Sequence, residues 1–188
     1  MQIRLALSAF DRGLDLNLKL MVARRVDEPM EHVVLRILAY CLFTRNDPTS
    51  ALHFAPGPAD RDAPDLWAHD LVGRPVEWIV CGPVDADELR HVLQHQRQAT
   101  VRVLFGSEEE HQQFAHDVRS LRRRVSGLES VDFRQVDRAL VGLLAQCALA
   151  RQRWAVTLVE DHLYVDAEGV SVDSDVIRPD MVAEIDPR

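Results

Sequence analysis

A mixed α/β fold, with a central mixed β-sheet flanked by helices, is what this sequence predicts. Three observations carry the prediction. The first 21 residues alternate apolar and polar side chains around a single Gly-containing turn. Residues 52–92 read as strand, acidic loop, strongly apolar strand, Gly-Pro break and helix start. Beyond them, helical and extended patterns follow one another to the C-terminal region.

The elements follow in order. Gln2 to Phe10 places Ile3, Leu5, Leu7 and Ala9 on one face of a strand. Asp11-Arg12-Gly13 is a turn with glycine where a left-handed conformation is wanted, and Leu14 to Met21 alternates again. Together these residues predict a hairpin with one wet face. Asp27-Glu28-Pro29 announces a helix, because carboxylates suit its positive end and proline is tolerated in the first turn. Val33, Val34, Ile37, Leu38, Cys41 and Leu42 form its apolar stripe, which runs to about Phe43 and stops at Asn46-Asp47-Pro48.

Leu52 to Phe54 is a short strand, and Asp60-Arg61-Asp62-Ala63-Pro64-Asp65 lies in an acidic loop. Val76 to Cys81 is an interior strand, so Glu77 and Val80 point to opposite faces. Asp85 to Arg97 is a helix, Ala99 to Phe105 a strand, and Ser107 followed by three glutamates a helix start balanced by Arg119 and Arg122-Arg123-Arg124. Val131 to Gln135 is a strand and Val136 to Ala150 an apolar helix. Trp154 to Glu160 pairs with Leu163 to Val165, and Gly169 turns the chain into Val170 to Val172. The acidic tail from Asp173 is expected to be partly irregular.

The 188 residues suit one domain with a substantial core. Hydrophobic residues at 47% and charged residues at 28% exclude disordered and collagen-like classes. The apolar runs fall well short of a membrane span, and the N-terminus lacks a secretory core, so no membrane partner is expected. Cys41, Cys81 and Cys147 are odd in number and set in apolar contexts, which reads as buried reduced thiols in a cytoplasmic protein. The net charge of −8, with 30 acidic against 22 basic residues, disfavours nucleic acid as a partner unless basic residues are locally segregated. No phosphate loop, zinc cysteine pairing or nucleophile elbow is present, so dinucleotide, P-loop and serine-hydrolase chemistry have no support.

Several local patterns admit two readings. Glu28 and Glu31 are either a metal or water-orienting pair or complements to the helix dipole. His91 and His95, one turn apart, are a metal-type pair or part of a solvated face. The arginines at 122–124 match a helix dipole or bind phosphate.

The joint spacing of Leu52-His53-Phe54, Gly57, Asp62, Pro64, Trp67, Trp78-Ile79 and Gly82, preceded by Glu28-x-x-Glu31 and Leu35-Arg36-Ile37-Leu38-Ala39, resembles the YaeQ family of small bacterial proteins. The anchors cover most of residues 24–105. The resemblance implies a variant of the PD-(D/E)xK restriction-endonuclease-like fold, here with an N-terminal β-hairpin. Nucleases of that fold hold a divalent ion between two carboxylates and set a basic residue beside the phosphate. By that resemblance Asp62 is the first acid and the metal ligand, but Val80 stands where the second acid belongs. Arg90 and His91 stand at the basic positions of the next helix.

Three functions follow from these residues. The first is a YaeQ-like binding or interaction module with a degenerate metal site. The second is an active nuclease, using magnesium or manganese held by Asp62 with Glu28 or Glu31, and Arg90 or His91 in the basic role. A third is an α/β domain with an unrelated small-molecule pocket, which Asp62, Glu28 and Val80 side chains turned away from one another would favour.

Overall fold

The computed structural model describes residues 1–24, 27–47, 51–55, 63–121 and 125–185. Asp62 and Arg122 to Arg124 therefore lie outside the described residues. Strands β1 (Gln2–Ala9) and β2 (Leu14–Met21) form the expected hairpin, with Gly13 at φ +63° in the turn. Helix α1 (Met30–Phe43) follows, with Pro29 at its N-cap. Then come β3 (His53–Phe54), β4 (Leu66–His69), β5 (Pro75–Cys81), α2 (Ala86–His95), β6 (Thr100–Phe105) and α3 (Glu108–Ser120). The chain continues through β7 (Asp132–Gln135), α4 (Arg138–Gln146), β8 (Arg151–Val159), β9 (His162–Ala167), β10 (Val170–Asp175) and α5 (Met181–Ile185).

The fold is mixed α/β, and its strands divide between two mixed sheets. One has the order β10-β9-β8-β1-β2, with β1 and β8 parallel; the other has the order β3-β4-β5-β6-β7, with β5, β6 and β7 parallel. Helix α1 lies between them. Its neighbours are Ile3, Leu5, Leu7, Trp154 and Val156 from the first sheet and Leu66, Ile79, Cys81 and Leu104 from the second, with α4 packed beside it. Consequently α1 is buried on all sides from Val33 to Ala39, Arg36 included, and not only along the stripe its sequence shows. The far face of the second sheet, through Trp78, Val101, Val103, Phe105 and Phe133, packs on α2 and α3 with Met181 of α5. The far face of the first sheet carries no described element.

Three elements differ from the sequence expectation. The acidic loop contains β4, a four-residue strand too short and too mixed to show a period, paired between β3 and β5. Helix α4 is shorter than 136–150 because Asp137 caps it, accepting from Ala139 N–H at 2.6 Å, and because Arg151 already pairs with Gln2 in the sheet. The tail is more regular than expected: β10 runs to Asp175, Ile177 bridges to Gln135, and α5 packs on α3. Cys41 and Cys81 are fully buried, and burial pushes the Cys41 thiol up to about 12. No helix among the described residues is long and apolar enough to cross a membrane.

Candidate ligand cleft

Parallel strands β5, β6 and β7 end side by side, and open α/β sheets bind ligands at that edge, where loops and helix starts converge. Here Gly82 and Gly106 follow Cys81 and Phe105 directly, and the N-terminal turn of α1 comes up against them. A cleft of about 520 Å³ results, walled by Glu31, Glu109, Glu110 and Arg138 and floored by His32 and Leu35. Gly82 sits at φ +80°, and a Cβ on Gly106 would lie 3.3 Å from Leu35 Cδ2. The backbone therefore approaches α1 closely at both strand ends. Ser107 caps α3 by accepting from Glu110 N–H at 3.2 Å, while Glu110 reaches back to accept from Gly106 N–H at 2.7 Å. Burial raises the Glu110 pKa, against the opposing pull of that hydrogen bond and of His32 and Arg138.

Beneath the cleft lies a set of buried charges. Glu28 is 4% exposed, Arg36 1% and Asp65 7%. The Arg36 guanidinium donates from Nη1 to Glu28 Oε1 (3.1 Å) and to the Ala23 carbonyl (3.1 Å), and from Nη2 to the Ala55 carbonyl (3.2 Å). Its Nε lies 3.8 Å from Asp65 Oδ1. Asp65 Oδ2 accepts from the Cys81 N–H at 2.8 Å, which fixes the carboxylate to the end of β5. His32 completes the set: Nδ1 is 2.7 Å from Glu28 Oε1, and Nε2 is 3.2 Å from the Cys81 carbonyl and 3.4 Å from Asp65 Oδ1. Acceptors face both ring nitrogens, so the doubly protonated ring suits this site. Burial alone would depress the His32 pKa, but the hydrogen bonds and charges of Asp65 and Glu28 outweigh it and hold the value above the ordinary one. Among the described residues, two carboxylates thus meet one guanidinium and one imidazole whose protonated form they favour.

These donors do not fit a divalent ion. Glu28 and Asp65 spend their oxygens on Arg36, His32 and the Cys81 N–H, and a metal entering between them would face two cations. Among the described residues, no three His, Cys, Asp or Glu side chains are arranged to hold a metal ion.

The sequence candidates are dispersed. Glu28 is in the buried set, and Glu31 is on the cleft wall. Val80 packs on the α2–α3 side of β5, the face opposite Cys81 and α1, so an acid there would not aim at Glu28. Glu77 shares the α1 face but is bound to Arg102 (2.8 Å) and Arg45 (3.1 Å), far down the strand from Cys81. Arg90 pairs with Asp87 at 2.7 Å on α2, and His91 stacks on His95 with ring centroids 3.9 Å apart. Neither Arg90 nor His91 lines the cleft. Asp62 lies outside the described residues. Sequence reasoning passed over His32, Glu110 and Arg138, gave Asp65 only its place in the acidic loop, and left Arg36 either paired with an acid or facing water; the available signal was a charged residue, Arg36, inside an otherwise apolar helical run.

Comparison with known proteins agrees with this architecture. The family model described as YaeQ protein matches residues 1–176. The crystal structure of the YaeQ protein from Xanthomonas axonopodis pv. citri is similar at a TM-score of 0.79 and 22% identity, covering 94% of this chain and 95% of that one. The crystal structure of the YaeQ protein from Pseudomonas syringae is similar at a TM-score of 0.77 and 24% identity, covering 93% of this chain and 92% of that one. No curated protein matches the chain.

Proposed function

The chain belongs to the YaeQ family, and from that premise we propose that it is a binding module without metal-dependent hydrolysis, taking its ligand in the cleft at the ends of β5, β6 and β7. One observation carries the reading: Glu28 and Asp65, the buried acids beside that cleft, are already engaged by Arg36 and His32. Opposite unit charges about 4 Å apart are worth roughly 4 kcal/mol at an effective dielectric near 20, so a divalent ion would have to displace partners that are strongly held. Val80 faces α2 and α3, away from Glu28, the arrangement expected of a small-molecule pocket unrelated to a nuclease site, and the cleft is that pocket in this reading.

The rim indicates what the cleft takes. Glu31, Glu109 and Glu110 outnumber Arg138, and the floor carries apolar Leu35 and Val141. A compact group with N–H donors or a positive charge on a short apolar body matches that lining. The second reading is a nuclease that holds magnesium or manganese with Asp62 and Glu28 or Glu31, with Arg90 or His91 as the basic group. The position of Glu31 on the cleft wall favours it.

A cleavage assay on single- and double-stranded DNA and RNA with magnesium or manganese separates the two. No cleavage above background is expected. Divalent-dependent cleavage that Asp62→Ala abolishes would establish the nuclease.

A further inference from the structure

The uncovered face of the first sheet is electrically two-ended. On β1, β2 and β8 the side chains that point away from α1 include Arg4, Lys19, Arg151 and Arg153, all exposed. Three of them stand in one row: Lys19 is opposite Arg4, and Arg4 is opposite Arg153, beyond which the row ends in one acid, Glu168, whose carboxylate accepts from the Arg153 N–H. Like charges directly opposite one another destabilise a sheet. Their side chains are in none of the ion pairs formed among the described residues, and Glu168, the one carboxylate on the row, bonds the Arg153 backbone instead. In a chain of net charge −8 whose only lysine is Lys19, that row is a concentration of charge against the average.

Four residues along the strands, the sign reverses. Asp15, Ser8, Thr157, Tyr164 and Asp173 form another row in register, with Asp175 and His162 beyond it. His162 sits between Asp175 (2.6 Å) and Asp173 (3.0 Å) and leaves that end acidic overall. Between the two rows runs Asn17, Ala6, Ala155, Asp166 and Ser171, with small side chains at its centre. The same face holds Met21, Tyr164 and Val159, which are 68%, 48% and 49% exposed. Arginine, tyrosine and methionine are the residue types that protein interfaces concentrate.

We propose that this face is the contact between two copies of the chain. A two-fold axis in the plane of contact, running across the strands over the Ala6–Ala155 row, turns one copy end for end. Strand then lies over strand, as an isologous contact allows, so Lys19 comes over the partner's Asp15, while Arg4 and Arg153 come over Ser8 and Thr157 at the partner's acidic end. An axis along the strands would oppose like charges and is disfavoured. The alanines at the centre let the sheets close to about 10 Å, the ordinary face-to-face spacing. Five strands at about 4.8 Å by about eight residues give on the order of 600 Å² of flat face per copy, near the lower bound of stable interfaces. The association is therefore reversible and salt-sensitive. A polyanion is the other occupant a basic row could take, but the acidic row alongside it and the exposed Tyr164, Met21 and Val159 match a second copy better.

Sedimentation equilibrium of the full chain at low and high salt tests this, using the wild type, a basic-row variant (Arg4→Glu, Lys19→Glu, Arg153→Glu) and an acidic-row variant (Asp15→Lys, Asp173→Lys). The wild type should dimerise, with a dissociation constant that rises with salt. Each variant alone should dimerise about tenfold or more weakly, and their equimolar mixture should associate again. Recovery in the mixture also shows that both variants are folded. A wild type that is monomeric at every concentration, a dimer indifferent to both variants, or a mixture that stays monomeric would overturn the proposal. Tight binding of a single-stranded oligonucleotide that only the basic-row variant loses would overturn it in favour of a polyanion.

Discussion

His32 Nδ1 lies 2.7 Å from Glu28 Oε1, four residues back along the chain and across the Pro29 cap of α1. That contact joins the start of α1 to the end of β5, because the other ring nitrogen faces Cys81 and Asp65. The acids nearest the strand ends are therefore part of the protein's internal charge balance. Three tests probe that balance and the backbone around it, and a fourth tests its functional consequence.

The Arg36 guanidinium supports Glu28 and two carbonyls from a fully buried position. Arg36→Met should cost about 3–5 kcal/mol, since an uncompensated charge remains buried. For a chain of this size that lowers the melting temperature by roughly 6–20 °C, measured by thermal denaturation. Adding Glu28→Met should restore much of the loss. A loss below about 1 kcal/mol in the single variant would show that the pair is not carrying the charge balance.

The raised pKa of His32 gives a signed pH dependence. A base whose folded value exceeds its unfolded value stabilises fully below the unfolded value, near 6.5, and loses that contribution as pH rises through the folded one. Wild-type stability should thus fall as pH is raised above about 6.5, and His32→Gln should flatten that slope. His162, also raised by Asp175 and Asp173, acts in the same direction, so the difference between wild type and His32→Gln is the quantity to compare. Parallel curves for the two proteins would contradict the assignment of a protonated His32.

Gly82 adopts φ +80°, yet an added Cβ would meet only His32 Cδ2 at 3.5 Å and Leu35 Cδ2 at 3.8 Å. The cost of Gly82→Ala is conformational and should be about 1–2 kcal/mol by denaturant titration. Gly106, without a positive φ, needs only a small shift of Leu35, so Gly106→Ala should cost less. The reverse order would show that packing on α1, not backbone conformation, dictates the two glycines.

Much of the fold was legible because the strands of its first sheet have one wet face. Ile3, Leu5 and Leu7 alternate with exposed neighbours, and that period survives in the sequence. Helix α1 was legible as a helix, but its burial on every side was not, because that depends on a second sheet far away in the chain. Strand β4 was hidden by its length and its acidic approach. The charge set was legible only in part: Glu28 stood out as an acid at a helix start, whereas Asp65 looked like one more carboxylate in a loop. Its pairing with Arg36 and with the Cys81 N–H joins segments 29 and 16 residues apart, which no local pattern records.

The engagement of Glu28 and Asp65 by Arg36 and His32 predicts that the chain does not capture a divalent ion beside the cleft. Titration with manganese, followed by the loss of the free-ion paramagnetic resonance signal, measures this directly. The account predicts that the signal tracks added manganese at millimolar levels, unchanged in Glu28→Gln. One equivalent of manganese bound at micromolar concentration, and released by Glu28→Gln or Asp62→Ala, would contradict it.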